Sequence, residues 1–464
     1  MACIAVLCLL PAVHPGDIQW VGDEPMLIAG ALRANLQHVA AAHGLTGTAG
    51  TTYGPFPTWI YQAYLAVSSN LVALVALRAV VVTGVIALAL VWLARTLGLW
   101  PWFIPALLCS PYLWFYARAL WDNSFNLPLC ALAFASAMSF LARGRPWTLL
   151  LALACCVAML LTHLMALAFV VPVGGCLLLR GWAQLRRAWW QLLGLAAAAL
   201  VVSWPYLSFL RRSAAAAPSP GARSAMDWLF PFLGGRILSA QHIGDIFGEQ
   251  WLSHGTGSWI RLVGVAGAAS LLAFPLVWAG MGVAQVTVRG GPGGSATGPA
   301  RVRGDTVQQH LTENDEQREQ GGVTAKSGFT HYFNATWIAF ALLAWLTVDA
   351  LGVSLLRGLV AGVLAISTLT VALCLLIRIH HSGPSRVPYG ATLANQVDVA
   401  RALNRYGPGT TVRTDVINVL RFPFALGVLR TLYPALEPPL PPAQLRLGYV
   451  TADPLDGRIR LVEQ

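Results

Sequence analysis

Apolar stretches long enough to cross a bilayer recur through most of this 464-residue chain. A hydrocarbon core of about 30 Å takes about 20 residues of helix. Lipid offers the backbone no hydrogen-bond partners, so only helices and closed barrels can span it. A barrel would read as short alternating strands, and that pattern is absent. With 56% hydrophobic and only 11% charged residues, against about a quarter charged in soluble domains, the chain reads as an all-α polytopic membrane protein. The formal charge of +11 does not imply nucleic acid. The basic residues are thinly spread and sit mostly at the ends of apolar runs, where they act as orientation signals.

The apolar runs place about ten transmembrane helices, at 2–13, 71–93, 100–117, 124–142, 147–162, 164–179, 189–210, 259–284, 332–350 and 354–377. The first run lacks the basic flank and small-residue cleavage site of a signal peptide, and is read as a helix that stays. Arg95, Arg143, Arg145, Arg180, Arg186 and Arg187 mark one set of loops; Asp17, Asp23, Glu24 and Asp122 mark the other. The positive-inside rule makes the first set cytoplasmic. Residues 14–69 and 211–258 are then external loops, and in the first of them Pro25–His38 and Phe56–Val67 carry helical periodicity, as interfacial helices do. Residues 1–284 form the core. The glycine-rich, charge-mixed stretch 285–330 reads as a flexible polar connector, 331–379 as C-terminal transmembrane helices, and 380–464 as a small α/β soluble segment. Ten spans would return that segment to the cytoplasm. The eight cysteines lie in apolar stretches without CxxC or Cys/His spacing, so they read as packing residues.

Acids are scarce in the first half of the chain, and every one of them falls on the external face. Each carboxylate near a membrane needs a reason. Asp23-Glu24 opens an amphipathic segment; helix capping is the competing explanation. The same face holds Tyr53 in a rigid YGPFP turn, Arg118, Asp122 and Asn123 between two spans, His163 at a helix-helix turn, and Arg211 and Arg212, whose guanidinium forks suit phosphate. His163 also fits a plain turn residue, Arg118 a structural pair with Asp122, and the loop arginines snorkelling. Together they form an external, membrane-level site with a carboxylate base, cations and aromatics, which suits a lipid-linked phosphate substrate.

The order of these elements, Asp23-Glu24, then TYGPFPTWIYQAYL, YARALWDNSFNLPL and LLTHLMALAF, resembles the GT-C superfamily of integral membrane glycosyltransferases. The branch it is similar to is the glycosyltransferase family 39-like one of protein O-mannosyltransferases and aminoarabinose transferases. The resemblance covers residues 1 to 210 well and 331 to 440 loosely, through HYFNATWIAFALLAW and YGATLANQVDVARAL. It implies a polyprenyl-phosphate-linked sugar as donor, inverting displacement, and a site facing the periplasm or exterior of a bacterial inner membrane. By that resemblance Asp23 matches the base and Glu24 a residue holding acceptor or metal. Tyr53 matches the first-loop turn. Arg118 and Asp122 lie where relatives contact the donor phosphate, and His163 and His331 where some place substrate or metal contacts; Asn123 and Tyr332, next to them in sequence, are further substrate-binding candidates. The expected Arg before Tyr332 is His331. The resemblance also implies an external C-terminal segment, against the span count. No cofactor is required; a divalent metal could share the phosphate charge. Membrane lipids are partners, nucleic acid is not, and the acceptor (protein, lipid or glycan) stays open. The alternative class is a lipid or glycolipid transporter or flippase, which broken helices in matching halves would mark; no internal repeat is present.

Overall fold

The computed structural model describes residues 2–20, 22–46, 52–213, 334–335, 337–351, 353–386, 389–416, 422–435 and 438–463. The chain opens with α1 (Ala2–Leu9), followed by the loop helices α2 (Glu24–Leu36) and α3 (Phe56–Leu65). Then come α4 (Leu71–Leu97), α5 (Ile104–Leu108), α6 (Pro111–Arg118), α7 (Asn126–Arg143), α8 (Pro146–Leu160), α9 (Leu167–Arg187) and α10 (Trp189–Ser213). After the 214–333 stretch follow α11 (Trp337–Asp349), α12 (Ser354–Ser382), α13 (Leu393–Asn404), β1 (Thr411–Thr414), α14 (Phe422–Leu432), β2 (Gln444–Tyr449) and β3 (Ile459–Glu463). The expected span near 259–284, the connector 285–330, and most of the loop 211–258 lie outside the described residues.

Five described helical stretches are long and apolar enough to cross a membrane: Leu71–Leu97, Asn123–Arg143, Leu164–Arg187, Trp189–Arg212 and Ser354–Ser382. At 27 residues, α4 is about 40 Å long. The side-chain oxygen of Asn70 caps its start by accepting from the Ala73 N–H at 3.1 Å. α7 packs between α4 and α8. Its buried face is built from small residues, Ala131, Ala135, Ser136 and Ser139 among them, which let neighbouring backbones approach closely without leaving polar groups exposed to lipid. On α9, α10 and α12, by contrast, Leu179, Trp190, Val201 and Leu355 are exposed. Such continuous apolar surface has no place in water and belongs against acyl chains.

Three elements differ from the sequence expectation. Residues 100–117 do not form one span. They break into a 3-10 turn at Pro101–Phe103, then α5, then α6. Each piece begins beside a proline, which cannot donate to the preceding turn and fits the first helical position. Nearly every side chain from Phe103 to Leu120 is buried, so this run is apolar because it lies inside the bundle, where hydropathy reads the same as at a lipid surface. The first run is helical only to Leu9 before a 3-10 turn at Leu10–Ala12. The proline-rich end is more ordered than expected. β1 pairs parallel with β2, and β2 antiparallel with β3.

The even span count fails for residues 380–464. Their core is shared with the first loop: Trp20, Leu27, Ile28 and Tyr61 pack with Leu393, Val397, Ala400, Leu429 and Leu445. The Leu393 N–H donates to the Ile18 carbonyl and the Ala394 N–H to the Gly16 carbonyl, each at 2.9 Å. The Trp20 indole donates to the Ala425 carbonyl at 3.2 Å, and the Gln396 amide to the Trp20 carbonyl at 2.9 Å. The C-terminal segment therefore sits on the same end of the helices as Asp23.

Candidate active site

Two stretches of irregular backbone meet above the helix ends. The first leads from α1 into α2, and the second joins α6 to α7. Arg78, one of the few charges inside a span, ties the second in place. Its Nη1 donates to the Tyr116 and Ala117 carbonyls and its Nη2 to Ser124 Oγ, at 3.3, 2.7 and 2.6 Å, and its guanidinium lies 4.6 Å over the Phe125 ring. Those carbonyls end α6, where no following turn can satisfy them. Sequence reasoning passed over Arg78, although a charge in mid-span is itself a signal.

The acids converge here. Asp23 stands immediately before α2, exposed, with no capping bond from its side chain to the helix. Asp23 makes no capping bond, while Glu24 does stand in the first turn of α2, where an acid offsets the helix dipole. Glu24, the first residue of α2, is 1% exposed. Its Oε2 accepts from the Gly22 N–H at 3.1 Å, and Trp121 lies close beside it. Burial raises its carboxyl to about 8, with Asp23 adding a like-charge push. Asp122, 5% exposed, caps the turn before α7 by accepting from the Asn123 N–H at 2.6 Å. Its other oxygen, Oδ2, is buried without a hydrogen-bond partner. Burial, and then Asp23, raise its carboxyl to about 7. The three acids thus belong to one electrostatic unit: two buried and driven toward their neutral forms, one open to solvent.

Arg118 ends α6 at 2% exposure. It does not turn to Asp122. Its Nη2 donates to the His14 carbonyl, its guanidinium lies 4.8 Å over the Trp114 ring, and its Nε and Nη1 have no hydrogen-bond partner. The Trp114 indole N–H is equally unmet. Both residues line a narrow cleft with Asp17, Glu24, Phe115 and Tyr389. Buried donors left unmet cost free energy, and such a set is receptive to an anion.

Tyr53 and His163 form a second, adjacent unit. Their rings lie 3.9 Å apart. His163 is 4% exposed, and its Nδ1 accepts from the Met165 N–H at 3.1 Å, which leaves its proton on Nε2. The turn at Gly54 is pressed so closely on the α8 end that an added Cβ would fall 2.1 Å from the Leu161 carbonyl oxygen, so no other residue fits there. Asn123 is 1% exposed and accepts from the Asn126 amide at 3.1 Å. Arg211 and Arg212 are exposed on the last turn of α10. They share the loop end, because the Tyr206 hydroxyl of that helix donates to the Thr52 carbonyl at 2.8 Å and Phe209 stacks on His43. His331 and Tyr332 lie outside the described residues.

No family model matches the chain, and no curated protein matches it. Among solved structures, the crystal structure of ArnT from Cupriavidus metallidurans bound to undecaprenyl phosphate is similar at 16% identity and a TM-score of 0.45. The match covers 100% of this chain and 97% of that one.

Proposed function

We propose that this protein is a membrane glycosyltransferase that moves a sugar from a polyprenyl-phosphate donor to an acceptor hydroxyl on the non-cytoplasmic face. One observation carries the reading. A solvent-open carboxylate, Asp23, stands beside two buried acids that are held near neutrality, next to a cleft where a buried guanidinium has two unmet N–H groups. A base and an anion receptor side by side are what a displacement at an anomeric carbon needs.

In this reading Asp23 accepts the proton of the acceptor hydroxyl as that oxygen bonds to the anomeric carbon. The carbon–oxygen bond to the phosphate breaks, and its electron pair leaves with the polyprenyl phosphate. Arg118 and the Trp114 indole meet the phosphate charge. A single displacement inverts the anomeric centre. Glu24, as a neutral carboxyl, can donate a hydrogen bond to a sugar or acceptor hydroxyl, and Asp122 keeps a second negative charge away from the leaving group. The exposed arginines at the end of α10 draw in the anionic headgroup. Phosphate is already a fair leaving group, so positioning and electrostatics suffice and no cofactor is needed. The basic helix ends, Arg95, Arg143 and Arg187, lie opposite the acids, which supports a site outside the cytoplasm under the positive-inside rule.

The test is to supply the purified protein with a panel of polyprenyl-phosphate sugars and follow release of polyprenyl phosphate. Release with one donor that disappears in Asp23→Asn, while donor still binds, supports the reading. Release that survives the substitution, or lipid movement across vesicles with no release, overturns it.

A further inference from the structure

We propose that His14, Asp17 and His380 form a binding site for a divalent transition metal, of the zinc type, that joins the last described span to the first loop. The site shares none of the acids assigned to catalysis, although Asp17 also lines the cleft beside Arg118, and metal binding can be read without the transfer reaction.

The three residues come from distant parts of the chain. His14 follows α1, Asp17 begins the path to Asp23, and His380 stands in the last turn of α12. His380 Nδ1 lies 3.0 Å from Asp17 Oδ2. The His14 and His380 rings are stacked with centroids 3.6 Å apart. One ligand atom from each residue lies within 4.8 Å of the others. Neighbouring donors in a tetrahedral site with 2.0–2.2 Å bonds are about 3.3 Å apart, so side-chain rotations close the set. Two imidazoles with one carboxylate favour zinc-type metals over magnesium or calcium. Three protein ligands leave a position for water, which agrees with the exposure of both histidines.

The backbone under the cluster is held independently. His14 sits at φ 47, a conformation that side chains other than glycine seldom adopt. The Asp17 N–H bonds back to the His14 carbonyl at 3.0 Å, and the same carbonyl accepts from Arg118. The Tyr389 hydroxyl donates to the Asp17 carbonyl at 2.8 Å. These bonds aim two ligands before any ion arrives, so less ordering is left to the binding step. The opposing charge is Arg118, whose guanidinium is within Coulomb range of Asp17. It makes the site weaker than a closed structural zinc centre.

Zinc titration of the full-length protein in detergent tests this, read by bound metal per chain and by thermal midpoint. One equivalent should bind and raise the midpoint. His14→Gln and His380→Gln should each weaken binding by more than about 100-fold, because loss of an outer partner alone costs 10–100-fold, and should abolish the rise. Asp23→Asn should keep both, which separates this proposal from the catalytic one. Should the histidine variants not fold, cobalt(II) titration of the unaltered protein reads the coordination directly: a visible spectrum of low-symmetry nitrogen-oxygen ligation supports the site. No stoichiometric binding, or binding unchanged in both variants, overturns it and leaves a His–Asp ion pair.

Discussion

The two ends of the helix bundle are built on different principles. At the basic end, Arg95, Arg143, Arg186 and Arg187 are exposed in the last turns of α4, α7 and α9, where positive charge suits the helix dipole. α7 stops there at Gly144 with φ 65, an ordinary left-handed cap. At the acid end the helices run into irregular backbone. Glu24, Asp122 and Arg118 are buried, and both Asp122 Oδ2 and Arg118 Nε lack partners. The first arrangement costs little. The second holds charged groups in low dielectric and leaves donors and acceptors unmet, each worth about 1–3 kcal/mol. A chain can retain such costs where a function needs them, and the site proposed above lies at that end.

Substitutions at the two ends should separate in size. The largest effect is on turnover: Asp23→Asn is expected to slow sugar transfer by about 10²–10⁴-fold with the thermal midpoint unchanged, since Asp23 is exposed. Next is Trp20→Ala, which empties the shared core and should cost about 3–5 kcal/mol, read as a lowered midpoint with loss of resistance to proteolysis across residues 380–464. Glu24→Gln tests the buried acids. Its carboxyl titrates near 8 in the folded protein against 4.5 when unfolded. The folded state therefore holds a proton that the unfolded chain releases, and this stabilisation is complete below about pH 4.5 and lost as pH rises through about 8. The unaltered protein should lose thermal midpoint between pH 5 and 9. Glu24→Gln should flatten that slope, with an advantage of a few degrees at pH 9 and none at pH 4. The smallest effect belongs to the basic end: Arg143→Gln should shift stability by no more than about 0.5 kcal/mol. A large loss there would break the comparison.

Much of this was readable from residue order. α2 and α3 fall within a few residues of their periodicity, and the long spans follow their apolar runs. What escaped did so for identifiable reasons. The breaks in 100–117 were written in Pro101, Pro105 and Pro111, but hydropathy cannot tell a buried segment from a lipid-facing one. β2 carries an alternating burial pattern at Leu445 and Leu447, hidden among flanking prolines. The meeting of Asp17 with His380, 363 positions apart, has no local signal. Nor does the unmet valence of Arg118, which exists only once Trp114 and His14 are in place. The grouping of Asp23, Glu24 and Asp122 was foreseeable by face, their unequal burial was not.

The union of Trp20 with Ala425 and Gln396 has a consequence for biogenesis. A nascent chain inserts its opening segments first, yet the cover for its first loop is synthesised last. Until the ribosome has finished, the stretch bearing Asp23 waits uncovered, and a polypeptide cut short before Leu393 would reach the membrane without a working front.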